Sequence, residues 1–396
     1  MHDDVRRRIG IEVSLGHAEA VKLCNVDAIA AYPITPQTHI VEHLSELCAD
    51  GEIDAAYVPV ESEHSAMSAC IGMSATGCRT FTATSSQGLA LMHEVLFIAS
   101  GMRFPIVMTV VNRALSAPLN IWGDQSDIMA NRDIGWIQLF GNNGQECYDL
   151  TPMCFKIAED HRVLLPTILN IDGFTVSHVV EPIETLTRED VDGFLPPYEP
   201  VLRLDVDKPA MFGAVGHPDV YTEVKKVLDD TLIASRTVID EVFEEFGQRF
   251  GRTYKAVEEY RTEDADTIVF TIGGTIGEIA HVSVDALRAE GHKVGQVLLR
   301  VWRPFPYDDI RRVLDGRKCV VVYDRALSFG GPGGPVASEI RAAMYGRPGA
   351  PPIHSIVAAL GGRDIRWRHI VDQVKQAQIR ALEGPFPPYE MVGVRQ

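Results

Sequence analysis

No two cysteines of this 396-residue chain stand in Cys-x-x-Cys spacing; Cys24, Cys48, Cys70, Cys78, Cys147, Cys154 and Cys319 are scattered and odd in number. That pattern argues against a disulfide framework and against a thiolate-held metal or iron–sulfur site. It fits buried thiols in a reducing cytosol. Basic residues are few: 37 Lys and Arg against 54 Asp and Glu leave a net charge of −17, which argues against nucleic acid or an anionic membrane as partner. No uninterrupted apolar run reaches the length of a membrane span, and no apolar h-region follows the charged start Met1–Gly10. A soluble cytoplasmic protein is expected. The Gly-x-Ser-x-Gly elbow of a Ser-His-Asp hydrolase is missing as well. Gly273-Gly274-Thr275-Ile276-Gly277 misses the dinucleotide fingerprint, and the strand after it ends in Arg300 where an acidic residue would hold a ribose. It reads as a tight strand-to-helix turn. Gly330–Gly334 has no Lys-Ser or Lys-Thr after it, so it reads as a plain turn, with an anion-binding nest as the alternative.

What is present is an alternation of short apolar runs with helical spacing. Val26–Tyr32, Ala55–Val60, Arg79–Thr84, Phe104–Val111, Trp136–Phe140 and Val163–Ile171 read as strands; Gly16–Cys24, Thr38–Ala49, Ser62–Thr76 and Gly88–Ala99 read as helices. The expectation is a largely parallel, doubly wound α/β sheet. Prolines at 182, 196, 197 and 200 break the pattern, and the charged stretch Asp219–Arg261 reads as helical. A second α/β unit starts near Thr267, with strands Thr267–Ile272, Val294–Val301 and Cys319–Tyr323 and helices Ile276–Glu290 and Val336–Met344.

Ligands of open α/β sheets bind beyond the carboxyl ends of the strands. Four clusters of small polar residues stand at such ends: Ala31–Thr38, Val58–Ser68, Thr84–Leu89 and Asn112–Ser116. They point to one site assembled from several strand ends. Thr35, between Pro33 and Pro36, presents its hydroxyl on a stiff loop, although turn formation alone also explains the prolines. Arg113 is either a surface arginine or a planar fork for a substrate carboxylate. Glu61 and Glu63 are either solvated capping carboxylates or a group that shares a proton with a ligand nitrogen. His64 and His93 lack ligand spacing and read as ordinary helix histidines.

Taken together, Tyr-Pro-Ile-Thr-Pro at 32–36, Glu-Ser-Glu-His at 61–64, Thr-Ser-Ser-Gln-Gly-Leu at 84–89, Asn-Arg-Ala-Leu-Ser-Ala-Pro at 112–118, Gly-Asp-Gln-Ser-Asp at 123–127 and Asp-Gly-Phe at 172–174 resemble the alpha subunit of the pyruvate:ferredoxin oxidoreductase and 2-oxoacid:acceptor oxidoreductase family. Arg303-Pro304-Phe305-Pro306 and the Gly330–Gly334 turn resemble that family's second domain. The resemblance implies a pyrimidine-type thiamine diphosphate-binding domain over 1–185, an extended arm and helical linker over 186–262, and a transketolase-C-terminal-like α/β domain over 263–396.

It further implies that Glu63 matches the glutamate that hydrogen-bonds N1′ of the aminopyrimidine. Thr35 and Arg113 match positions that hold the substrate carboxylate and carbonyl. Pro33, Ile34, Ser86 and Gln87 match cofactor-lining positions. The family's diphosphate half-site carries Gly-Asp-Gly, which this sequence lacks. The resemblance therefore places the diphosphate and Mg²⁺ on a beta subunit and the [4Fe–4S] clusters on a ferredoxin-like subunit, with no metal ligands in this chain. A gamma subunit, a dimer of heteromers and coenzyme A as cosubstrate complete that picture. The implied reaction is oxidative decarboxylation of a 2-oxoacid to an acyl-CoA and CO₂. Pyruvate is the first candidate, because Thr35 adds no positive charge for a second carboxylate; branched-chain and aromatic 2-oxoacids, phenylglyoxylate included, stay open. The competing readings are a non-catalytic scaffold subunit and a self-sufficient nicotinamide-dependent dehydrogenase, which the poor glycine fingerprint disfavours.

Overall fold

The computed structural model describes residues 5–395; the first four residues of the charged N-terminal segment lie outside them. Seven strands form the first sheet, in the order Val301–Arg303, Ile137–Phe140, Thr167–Asp172, Val107–Asn112, Thr80–Thr84, Ala28–Ala31, Ala56–Pro59. All pair in parallel except the edge strand Val301–Arg303. The central strands Thr80–Thr84, Val107–Asn112 and Thr167–Asp172 are buried at every position, as expected when helices cover both faces of a parallel sheet. That explains their continuous β-branched and apolar runs. The helix Glu63–Ala75 packs through Ala66, Cys70 and Ser74; small side chains there let it lie close to the helix Ser86–Gly101 and to the strands beneath.

The second sheet has six strands, ordered Glu390–Met391, Ile353–Val357, Cys319–Asp324, Thr267–Ile272, Val294–Leu299, Val257–Tyr260. Its edge strand Val257–Tyr260 is antiparallel to Val294–Leu299. The helical pattern of 219–261 is therefore real only in part. The helix runs Tyr221–Phe250, ends on Gly251 in the left-handed conformation (φ 75°), and the chain then turns into a strand. A single strand over 294–301 also proves to be two. Val294–Leu299 stays in the second sheet, whereas Val301–Arg303 crosses to the first, and buried Arg300 between them pairs with Glu146 and Glu258. The chain start, Arg8–Glu12, adds a small antiparallel sheet with Val180–Glu184.

Both glycine-rich turns are filled from within. Gly273 and Gly274 take positive φ (23° and 70°), and the helix they open receives the Asp172 carboxylate on the backbone N–H of Thr275 at 3.1 Å. The Gly330–Gly334 turn opens the helix Pro335–Met344, whose first free N–H groups, Val336 and Ala337, donate to Asp324 at 2.8 and 3.1 Å. A protein carboxylate thus occupies each helix N-terminus, where an external anion would otherwise bind.

The two sheets meet at a buried ion pair between Asp172, at the end of a first-sheet strand, and Arg325, just past a second-sheet strand. Asp172 also accepts from the Thr275 hydroxyl at 2.6 Å, and Arg325 donates to the Gly123 carbonyl at 2.7 Å. Among the described residues no helix is long and apolar enough to cross a membrane.

Candidate active site

The loop Pro33–Pro36 leaves the strand Ala28–Ala31 at its carboxyl end. Buried Gln37 fastens it: its side-chain amide donates to the Ala83 carbonyl at 2.8 Å, and its Oε1 accepts from the Ile34 N–H at 3.2 Å. Pro33 and Thr35 remain exposed and Ile34 half-buried, so the loop is anchored from below and open above. Arg113, at the end of Val107–Asn112, reaches this loop. Its Nη1 donates to the Thr35 carbonyl and its Nε to the Asn120 carbonyl, each at 2.9 Å. The side chain is buried, which lowers its pKa from the ordinary guanidinium value. Among the described residues no carboxylate forms an ion pair with its guanidinium, although Asp127 nearby offsets part of the burial, so the buried positive charge keeps two backbone carbonyls as its side-chain partners.

Glu63 opens the helix Glu63–Ala75. Ser62 caps that helix by accepting from the Ser65 N–H at 3.2 Å. The two carboxylates of this turn separate sharply. Glu61 is exposed and takes the Ser65 hydroxyl at 2.7 Å, as a solvated capping residue does. Glu63 is 7% exposed, and no described residue donates a hydrogen bond to it. Its carboxylate lies against Gly88: a Cβ at that glycine would sit 2.6 Å from Glu63 Oε1 and 2.7 Å from its Cγ, and would overlap Thr84 Oγ1. The buried hydroxyls of Thr84 and Ser85 are also without hydrogen-bond partners. Buried polar groups are normally paired, so the unpaired Thr84 hydroxyl, sharing the gap left by Gly88 with the Glu63 carboxylate, marks a place suited to a polar ligand.

Ser86 sits at φ 44°, a backbone region that L-residues seldom adopt. Its Oγ lies 2.7 Å from the Ala114 carbonyl and 2.6 Å from Gln87 Oε1. What holds it there is Asp127. That carboxylate accepts the N–H groups of Ser86 and Arg113, each at 3.0 Å, the Asn112 amide at 3.1 Å and the Ile128 N–H at 2.7 Å. Complete burial pushes its pKa up to about 7, against those donors, which favour the ionised form. One buried carboxylate thus sets the relative position of two strand ends. Sequence reasoning did not single out Asp127 or Gln37. Only the Gly123–Asp127 motif hinted at the former, and its role depends on a loop fold that motif spacing does not reveal.

The structure therefore brings Thr35, Arg113, Ser86 and Gln87 to adjoining strand ends, with Glu63 beside them across Gly88. His64 and His93 stand apart in their helices, His64 4.0 Å from Glu94 and His93 2.6 Å from Asn131. The roughly 810 Å³ cleft walled by Arg236, Arg303 and Asp309 does not include these residues.

Residues 19–244 match the family described as pyruvate flavodoxin/ferredoxin oxidoreductase, thiamine diP-bdg, and residues 265–370 match pyruvate:ferredoxin oxidoreductase core domain II. The chain is 52% identical over 316 residues to pyruvate synthase subunit PorA of Methanocaldococcus jannaschii, covering 79% of this chain and 81% of that one. It is 46% identical over 318 residues to ketoisovalerate oxidoreductase subunit VorA of Pyrococcus horikoshii, 80% of each chain. In fold it is similar to a 2-oxoglutarate:ferredoxin oxidoreductase from Magnetococcus marinus, with a TM-score of 0.69 at 22% identity over 95% of this chain and 66% of that one.

Proposed function

The chain belongs to the pyruvate flavodoxin/ferredoxin oxidoreductase family as an alpha subunit of a 2-oxoacid:ferredoxin oxidoreductase, and from that premise we propose that it carries the aminopyrimidine half of a thiamine diphosphate site and acts on pyruvate. The observation that carries this reading is Glu63, buried, without a donor, and given room only because residue 88 is glycine. A carboxylate that shares the gap left by Gly88 with the unpaired Thr84 hydroxyl fits a ring that offers both a nitrogen and an amino group. When bound, thiamine diphosphate supplies the carbanion chemistry by which a 2-oxoacid loses CO₂.

The protein's own work is positional and protic. Glu63 would hold the ring nitrogen of the bound cofactor through its carboxylate and share a proton with it. Arg113, with Nε and Nη1 engaged by Asn120 and Thr35, turns its remaining N–H edge to the substrate carboxylate. Thr35, exposed on the same loop, would offer its hydroxyl to the substrate carbonyl. Pro33, Ile34, Ser86 and Gln87 would border the bound cofactor. The division into a pyrimidine-type domain over 1–185, a linker over 186–262 and a second domain over 263–396 belongs to this proposal. So does a beta subunit that supplies the diphosphate and Mg²⁺. Ferredoxin-like and gamma subunits, iron–sulfur clusters outside this chain, and coenzyme A as acyl acceptor follow from the same reading.

The decisive experiment is Glu63→Gln and Glu63→Ala in the assembled complex, assayed by 2-oxoacid-dependent reduction of a viologen dye. A loss of about 10²–10⁴-fold is expected for removal of a proton-sharing carboxylate. Near wild-type rates in both variants overturn the assignment and favour a scaffold role. A branched-chain substrate is the second reading, motivated by the 46% identity to the ketoisovalerate enzyme subunit. Comparing kcat/KM for pyruvate and 2-oxoisovalerate separates the two.

A further inference from the structure

Three residues far apart in sequence, Glu12, His39 and His178, meet near the start of the helix Thr38–Ala49. Glu12 ends the strand Arg8–Glu12, His39 stands in the first turn of the helix Thr38–Ala49, and His178 lies in the turn that follows Asp172. One ligand-type atom from each falls within 4.8 Å of the others, and this is the one such group of three or more His, Cys, Asp or Glu among the described residues. His39 Nδ1 is 2.6 Å from Glu12 Oε1. The two imidazoles stack, with centroids 4.5 Å apart and planes 29° from parallel.

The second imidazole is the telling part. A Glu12–His39 pair alone is an ordinary ion pair. Stacking a further histidine on it, beside a single carboxylate, costs repulsion whenever both rings are protonated and supplies no acidic partner for the second. Two neutral imidazoles and one carboxylate converging on a shared divalent cation satisfy all three groups at once. His178 is also oriented for this. Its Nδ1 is 2.8 Å from Ser177 Oγ, which itself accepts the Phe174 N–H at 2.9 Å and so is fixed in place. A donor bond from Nδ1–H to that oxygen leaves Nε2 as the free lone pair, the arrangement that outer hydrogen bonds impose on metal-ligating histidines.

We infer that Glu12, His39 and His178 form a site for a divalent transition-metal ion of the Zn²⁺ type, completed by water in the fourth position. Tetrahedral ligation at about 2.0–2.2 Å per bond places ligand atoms roughly 3.3 Å apart. Closing the cluster then needs small side-chain rotations, with the Glu12–His39 contact opening as the ion enters. Solvent access is available, since the side chains of His39 and Glu12 are 43% and 22% exposed. The ion would staple the N-terminal strand and the Asp172–His178 turn to the helix that follows the Thr35 loop. None of this depends on the role given to Glu63.

The test uses the full-length chain, stripped with chelator and then equilibrated with Zn²⁺, with bound metal measured by elemental analysis and calorimetry. Co²⁺ serves as a spectroscopic probe. Wild type is expected to take up one equivalent, to show the visible bands of a tetrahedral nitrogen–oxygen Co²⁺ site, and to gain in melting temperature. His39→Ala, His39→Gln and His178→Ala are expected to lose that equivalent, with affinity reduced at least tenfold. His43→Ala, on the same helix but bonded to Glu19 at 3.0 Å, keeps it. The inference is overturned if wild type shows no tetrahedral Co²⁺ bands, or if the His39 and His178 variants retain wild-type Zn²⁺ content.

Discussion

Gly88→Ala inverts a familiar rule, and its sign can be worked from two neighbouring helices. Replacing a helical glycine by alanine ordinarily stabilises by about 0.5–1 kcal/mol, because the unfolded chain loses freedom. Gly72, in the helix Glu63–Ala75, has nothing within 4 Å of a would-be Cβ, so Gly72→Ala is expected to follow the rule. At Gly88 the same methyl meets Thr84 Oγ1 and two atoms of Glu63. Thr84 is a β-branched residue buried in a central strand and cannot yield readily. Glu63 is the softer neighbour and swings away. Overpacking of this kind costs about 1–3 kcal/mol, which offsets the entropic gain and leaves a net loss of up to roughly 2.5 kcal/mol.

The larger effect is on turnover. Displacing a reacting group by about 1 Å costs on the order of 10²-fold, equivalent to roughly 2.7 kcal/mol of barrier. Melting temperature and 2-oxoacid-dependent viologen reduction, measured on both variants in the assembled complex, read out the two parts. If Gly88→Ala is as stable as Gly72→Ala and turns over at the wild-type rate, the claim that this glycine makes room for Glu63 fails.

Asp127→Asn sets an amide N–H₂ against backbone donors that now meet carboxylate oxygens. It is expected to cost about 1–3 kcal/mol of stability and to raise KM for the 2-oxoacid more than it lowers kcat, because Arg113 and Ser86 lose their common anchor. Arg113→Lys, which cannot span the Thr35 and Asn120 carbonyls while still facing the substrate, is expected to lower kcat/KM by about 10–100-fold, the worth of one charge-assisted hydrogen bond. Arg325→Met strands the Asp172 carboxylate and is expected to destabilise by about 3–5 kcal/mol at neutral pH. Burial alone pushes the Asp172 carboxyl up, but Arg325 and the Thr275 donors outweigh it and hold it below the ordinary carboxylate range. Its stabilising contribution is therefore complete above an unfolded pKa of about 3.9 and fades as pH falls further. Denaturation at pH 7 and pH 3 should show the Arg325→Met penalty shrinking in acid.

The polar clusters at strand ends were legible in the sequence because parallel strands must be apolar on both faces, so a sudden Thr-Ser-Ser-Gln or Asn-Arg stands out. The split between Glu61 and Glu63 was not. Both fit a helix start, and only the position of the Ser62 cap decides which carboxylate faces solvent. The role of Asp127 carries no sequence signal because the residue acts across a loop, gathering N–H groups from residues 86, 112 and 113. The strand Val257–Tyr260 reads Val-Glu-Glu-Tyr, and at the edge of a sheet such a stretch carries too little hydrophobic pattern to separate it from the charged helix before it. The run Val294–Val301 reads as one strand because the chain changes sheets within a single residue, Arg300, whose charge is hidden by Glu146 and Glu258. The Glu12–His39–His178 group has no spacing signature at all.

That change of sheets has a practical consequence for anyone dividing the protein. Val301–Arg303 shields Ile137–Phe140, the apolar strand that would otherwise border the first sheet. A fragment truncated near residue 262 would expose that strand's unpaired backbone along a buried-type surface, an invitation to edge-to-edge aggregation. A permuted or split version that keeps residues 294–306 attached to the N-terminal half would not carry that liability.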